Sequence, residues 1–265
     1  MKKTIISCVL FLTAVTAFSQ TPMKTAAEAK LSASDLAVKI ADRILATTTY
    51  EFKNTKTGKT YKSVKNLPLD MNVKVACKYN NWHYTNGVTH IALMELADKT
   101  GAKKYDDYVL KNMNFVFNEG NLDFFKKQYE QAMKNEGWYG VRKLSWHMIF
   151  RGKRLDDNGP MGASLIDLQM KHPNNSFLNY INETAEHLNY GEPRLADGTI
   201  ARIWPHENTI WADDAFMAIS FLARMAKMTG DMSYINDAAN QVIKYHKYLW
   251  CPEKRILYHC YHTDT

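Results

Sequence analysis

Cysteine is scarce: the chain has four in 265 residues, and Cys8 falls in the first twenty positions. If that segment is cut away, Cys77, Cys251 and Cys260 remain. An odd, sparse set is not a disulfide framework, and whether Cys251 and Cys260 form a single bridge cannot be read from their spacing. No CxxC or HExxH pattern is present, so a metal site has little support. There is no basic run and no aromatic-basic motif of the kind nucleic-acid binders carry, which argues against a nucleic-acid partner. The apolar run Ile5 to Phe18 follows Lys2-Lys3 and ends at Ala17-Phe18-Ser19, a small-x-small cleavage site. It reads as a secretory signal peptide over residues 1–19, not a membrane span, and predicts a periplasmic or secreted protein with no membrane insertion after cleavage. Cys8 lies too close to the lysines to become a lipid-anchored mature N-terminus.

What is present suits a soluble globular protein. Hydrophobic residues make up 46% of the chain, enough for a core, and charged residues 23%. Loss of Lys2 and Lys3 would leave +5 of the formal +7, a modest excess that suits an acidic ligand without identifying one. Length allows one or two domains. Residues 20–33 read as a leader, and residues 34–265 as one helical region.

Apolar periodicity and helix stops predict an all-α chain. Ser34-Asp35 is the expected cap of a helix carrying Leu36, Ile40, Ile44 and Leu45. Thr47 to Asn72 reads as a loop with short strands at Thr60-Tyr61-Lys62 and Val73 to Val75. Helices are expected from Trp82-His83-Tyr84 to Lys99, Tyr105 to Phe117, Phe124 to Asn135, Pro160 to Lys171, Phe177 to Leu188, Asp213 to Met228 and Tyr234 to Leu249. Gly137-Trp138-Tyr139-Gly140 breaks the pattern, Trp146 to Phe150 reads as extended or irregular, and Asn189 to His206 is a long polar connection.

The helices repeat. Thr100-Gly101 with Tyr105 matches Thr229-Gly230 with Tyr234, and His172-Pro173 with Phe177 is a weaker copy. Shifts of 72 and 57 residues bring the copies into register, carrying Tyr84 onto Asp156 and Asp156 onto Asp213. Trp82 falls on Arg154 and then on Trp211. If the hairpins pack side by side, Tyr84, Asp156-Asp157 and Asp213-Asp214 lie around one rim. Neighbours on a helix diverge by about 100°, so one Asp of each pair would face a shared pocket and the other would cap the helix. Facing carboxylates push one pKa up, the equipment for acid/base work on sugars. Trp82, Trp204 and Trp211 are candidate sugar platforms, each singly more often core. Arg202, His206 and His259 are candidate carboxylate partners.

Trp211-x-Asp213-Asp214-x-Phe216-Met217-Ala218, Leu155-Asp156-Asp157-x-Gly159-x-Met161-Gly162-Ala163, Leu257-Tyr258-His259 and Trp82-x-Tyr84-x-x-Gly87 together resemble glycoside hydrolase family 105. These are the unsaturated rhamnogalacturonyl hydrolases, related to the unsaturated glucuronyl hydrolases of family 88. The resemblance implies an α/α six-hairpin barrel, as in six-hairpin glycosidases, with its site at one mouth. It implies hydration of the C4=C5 bond of an unsaturated uronic-acid oligosaccharide from pectin, with no cofactor, metal or covalent nucleophile. Asp213 would be the general acid/base. For the second acid, the Asp-x-Gly spacing to Gly159 favours Asp157 and the repeat phase favours Asp156; the reading takes Asp157. Tyr84, Asp156, Arg202, His206, Trp211 and His259 would contact substrate. The family barrel needs about twelve helices and a later Trp-Gly-Arg-rich motif; about seven or eight helices of ordinary length are legible here, so the chain resembles a truncated member. Two other readings stay open: another α/α-barrel carbohydrate enzyme (lyase or epimerase), or a non-catalytic helical-repeat binding protein whose Asp pairs are caps.

Overall fold

The computed structural model describes residues 32–263. The expected signal peptide and most of the expected leader lie outside the described residues. Among the described residues no helix is long and apolar enough to cross a membrane. They fall into two compact units, 32–43 and 44–263.

The first unit holds the start of helix α1 (Ala33–Thr47). Its cap is Ser32, two residues earlier than expected: the Ser32 hydroxyl accepts from the Asp35 amide at 3.1 Å, and the Asp35 carboxylate accepts from the Ser32 amide at 3.1 Å. That reciprocal pairing is a capping box, which satisfies two groups at the helix start at once.

In the second unit, β1 (Phe52–Asn54), β2 (Thr60–Tyr61) and β3 (Val73–Val75) form an antiparallel sheet in the order β2-β1-β3. The two expected strands are present; β1, too short to show alternation, was not legible. Helix α2 (Tyr84–Thr100) turns into α3 (Lys104–Val116). Helix α4 (Glu119–Val141) is longer than expected because it resumes after a break at Gly137, whose φ of 59° and ψ of −150° are not helical. A one-turn helix, α5 (Met148–Arg151), replaces the irregular stretch. Then come α6 (Leu155–Lys171), α7 (Asn175–Glu186) with a π-helical turn at His187–Gly191, β4 (Thr209–Trp211), α8 (Ala212–Thr229) and α9 (Met232–Leu249). Two pairings close the chain: β5 (Trp250–Cys251) pairs with β6 (Ile256–Leu257), and β7 (Cys260–His262) returns to β4. The described cysteines are free.

The repeat is real in three dimensions. Helix α2 ends at Gly101 (φ 70°) and α8 at Gly230 (φ 75°), each donating its amide four residues back, to Ala97 and Ala226. Left-handed backbone costs glycine nothing, which makes both turns legible in the sequence. The start of α6 was not legible. Proline usually sits at the first helical position, so the helix was expected from Pro160; it begins five residues earlier, at Leu155. Its first turn is held by the Asp157 and Asn158 amides donating to the Arg154 carbonyl, and by Tyr180 donating to the Asn158 side chain at 3.1 Å.

Helix α6 packs between α2 and α8 and is buried along most of its length. Glycines set the approach. A Cβ on Gly87 of α2 would stand 2.3 Å from the Pro160 carbonyl carbon, and one on Gly159 of α6 would stand 2.7 Å from the Met217 carbonyl oxygen of α8. Because the blocking atoms are backbone, a Gly87→Ala protein is expected to lose about 1–3 kcal/mol through overpacking, read as a lower urea midpoint at unchanged slope. This tight stacking keeps the first turns of α2, α6 and α8 on one rim.

Candidate active site

Neither Asp pair caps its helix. The cap positions of α6 and α8 are Arg154 and Trp211, and neither side chain makes a cap hydrogen bond. Each pair instead divides into a buried and an open member. Asp157 is fully buried, with both oxygens held by the Arg151 guanidinium, one at 2.6 Å from Nε, and a longer 3.3 Å bond from the Lys153 amide. Asp214 is 1% exposed, and both its oxygens are held by Arg202, at 2.6 and 2.7 Å. The open members, Asp156 and Asp213, lie one residue earlier in each helix and face the same guanidinium: Arg202 Nη2 is 3.8 Å from Asp156 and 3.4 Å from Asp213. One Arg thus gathers three carboxylates from two repeat helices. Fork-shaped, always charged and weakly hydrated, guanidinium is the cation suited to such a partly buried cluster.

Arg202 is placed by backbone pairing. Its amide donates to the Thr209 carbonyl at 2.7 Å, beside β4. Trp211, last in β4, lays its ring under the guanidinium, 4.7 Å from ring centre to Cζ. The β4–β7 pairing brings in the distant His259, whose carbonyl accepts from the Ala212 amide at 2.9 Å and whose ring meets Trp211 edge-on at 5.1 Å. Tyr84 packs on His83 at 4.5 Å, and the charges of Asp156 and Asp157 act on His83. His206 is exposed and lies beside His262, with ring centres 5.5 Å apart and the planes tilted by 51°. Trp82 is core: its ring is buried, and its N–H donates to the Asp157 carbonyl at 2.7 Å, steadying the first turn of α6.

A cavity of about 520 Å³ opens at this rim, lined among others by Arg151, Lys153, Arg154, Asp156, Arg202, Trp204 and Asp214. Three of its basic residues, Arg151, Lys153 and Arg154, were given no site role from the sequence, although Arg154 was in the repeat register with Trp82 and Trp211. An Arg holds the second member of each pair, Arg151 for Asp157 and Arg202 for Asp214, but the repeat could not have found Arg151, because the 57-residue shift carries it onto Asn208.

Burial governs the ionisation here. It pushes the Asp214 carboxyl up to about 6; Arg202 pulls against this, while Asp213 and Asp156 add to it. Burial also raises Asp157, opposed by Arg151. Arg202 stays protonated: burial opposes its charge, but Asp214, Asp156 and Asp213 outweigh it. A carboxyl whose folded pKa exceeds its unfolded value contributes stability that is present below the unfolded value and lost as pH rises through the folded one. The stability of the wild type relative to Asp214→Asn is therefore expected to fall by roughly 2–3 kcal/mol between pH 4 and 7. Paired denaturant titrations across that range measure it, and a flat difference would refute the raised carboxyl.

The family model for glycosyl hydrolase family 88 matches residues 56–265. No curated protein matches the sequence. Among solved structures, a possible member of the GH105 family from Salmonella enterica serovar Paratyphi A is similar with a TM-score of 0.56 at 16% identity, covering 88% of this chain and 53% of that one. A family 105 glycoside hydrolase from C. acetobutylicum gives 0.55 at 19% identity, covering 86% and 49%. An inactive variant of an α-1,6-mannanase of Salegentibacter sp., in complex with α-1,6-mannotetrose, gives 0.52 at 14%, covering 89% and 57%. At these identities the likeness is one of fold, that of the α/α six-hairpin glycosidases, and the chain spans about half the length of these relatives. With the family model running from the sheet to the last residue of the chain, the protein belongs to glycosyl hydrolase family 88.

Proposed function

We propose that the protein acts on oligosaccharides ending in an unsaturated uronic acid and releases that sugar by hydrating its C4=C5 bond. The observation that carries this reading is the pair of open carboxylates, Asp156 and Asp213, on neighbouring helix starts and gathered by Arg202 at the rim of a basic cavity. Asp213, with a side chain 45% exposed, protonates C4. Water then adds at C5 as a carboxylate takes up its proton. The C5 hemiketal opens, C1 becomes a hemiacetal, and the leaving sugar departs with a proton. A positioned carboxyl is worth about 10²–10⁴-fold in such a transfer.

We assign the second carboxylate to Asp156 rather than Asp157. Both oxygens of Asp157 are already engaged by Arg151 behind the cavity wall, so taking a proton from water would break a buried ion pair. Trp211 and Trp204 offer ring faces at the rim, and His259 is held against the first. Rhamnogalacturonan fragments are the substrate that the sequence resemblance favours. The N-terminal Lys-Lys and apolar run support export to the periplasm or medium.

The test is ultraviolet absorbance of unsaturated uronyl disaccharides from rhamnogalacturonan and from other uronides. Hydration removes the double bond, so absorbance should fall as free sugar appears. A rise on intact polysaccharide would mean a lyase. Binding without any change in absorbance would mean a non-catalytic module. Either result sinks the proposal.

A further inference from the structure

Two cations of the cavity wall stand apart from the ion pairs just described. Arg151 is engaged by Asp157 and Arg202 by Asp214. Lys153 and Arg154 face the same cavity, and among the described residues neither side chain lies in an ion pair with a carboxylate. Arg154 is half-buried and lies over the Trp204 ring, with Cζ 4.5 Å from its centre. Trp204 is 59% exposed. An indole face holds a guanidinium in place without neutralising it, so the N–H edge stays free for an incoming acceptor.

We propose that Lys153 and Arg154, with Arg154 held on the face of Trp204, form an anion-binding subsite that takes a carboxylate or sulfate ester of the oligosaccharide. The inference rests on the reading of the cavity as an oligosaccharide site, and it adds which side chains select for charge. Burial costs Arg154 most, and the charges of Arg151 and Arg202 add to this while Asp157 and Asp156 offset part of it; an anion entering the cavity opposes the remaining cost. The guanidinium supplies two parallel donors for a planar carboxylate or two sulfate oxygens, and the Lys153 ammonium adds a movable point charge at the exposed edge. The carboxylates that line the cavity have other partners: Asp156 and Asp214 face Arg202, and Glu192 is hydrogen-bonded to His187 at 2.8 Å. An acidic group of the ligand is therefore drawn to Lys153 and Arg154.

The experiment is calorimetric titration of the protein at low ionic strength with three saturated ligands that lack the reactive double bond. These are a uronyl disaccharide with a neutral second sugar, its methyl ester, and the same disaccharide with a sulfate on the second sugar. The wild type should bind one of the anionic forms about tenfold or more tightly than the counterpart that lacks that anionic group, with the margin shrinking as salt is added. The ester comparison isolates the carboxylate and the sulfate comparison the ester anion. In Lys153→Gln/Arg154→Gln the margin should collapse towards one, in Lys153→Gln alone it should narrow, and in Lys153→Arg it should return. The proposal is overturned if the wild type shows no margin or binds none of the three. It is also overturned if the double variant keeps the margin, or weakens on the methyl ester as much as on the anionic forms. Absorbance loss on unsaturated disaccharides, followed with the same preparations, reports on the hydration chemistry independently. A margin without bleaching sinks the enzyme reading and leaves the subsite standing.

Discussion

Asp213→Asn is expected to fold like the wild type and to bleach unsaturated uronyl disaccharides about 10²–10⁴-fold more slowly, with the loss in kcat. Asn keeps the size of the side chain and can still accept from Arg202, 3.4 Å away, but it cannot give or take the proton. Because the Asp213 side chain is 45% exposed, the stability change should stay within about 0.5 kcal/mol. That combination separates catalysis from structure. A binding module would show neither loss, and a purely structural role would lower the unfolding midpoint together with the rate. Asp156→Asn should behave in the same way. Asp157→Asn should instead act first on stability, since it leaves Arg151 with a broken buried pair. If Asp157→Asn folds normally and alone abolishes bleaching, the assignment of Asp156 is wrong.

Arg202→Met should be the most destabilising substitution at the rim, by about 3–5 kcal/mol at neutral pH, because it leaves the Asp214 carboxylate buried without its partner. Methionine fills much of the same volume, so the cost is electrostatic more than steric. It should therefore shrink as the pH is lowered, when Asp214 takes up a proton. A second change, Asp214→Asn, should recover part of the loss. That recovery is the signature of a coupled pair in a double-mutant cycle. Arg202→Lys should rescue poorly, since one ammonium cannot grip both Asp214 oxygens at 2.6 and 2.7 Å while facing Asp156 and Asp213. Urea unfolding of the wild type, Arg202→Met, Asp214→Asn, the double variant and Arg202→Lys measures these differences. A loss under about 1 kcal/mol in Arg202→Met would mean that water reaches Asp214 and that the cluster is less dry than its burial indicates.

Much of this arrangement was legible beforehand. The glycine stops at Gly101 and Gly230 and the equal phase of Tyr84, Asp156 and Asp213 announced stacked hairpins with acids at one rim. That phase identified the open pair better than the Asp-x-Gly spacing did: both open acids sit at the second residue of their helices, and both buried ones at the third. Helix geometry turns the two by about 100°, and packing of α6 against its neighbours decides which one is inside. The expected caps failed because Arg151 and Arg202 offer the buried carboxylates a charged partner, which a carboxylate prefers to a neutral backbone amide. The start of α6 was misplaced because Pro160, a good opener by local preference, is held inside the helix by contacts with α2.

Local periodicity alone specified an all-α repeat, its turns, and acids in phase at the helix starts. Those signals reside within a few residues, where backbone preference and the 3.6-residue period act. Long-range packing settled the rest: which acid of each pair is open, that Arg202 gathers carboxylates from two helices, that the β4–β7 pairing carries His259 to Trp211, and that Trp82 is core. Each of these depends on groups far apart in the chain. Their energies come from burial and charge pairing, which no short stretch of sequence records.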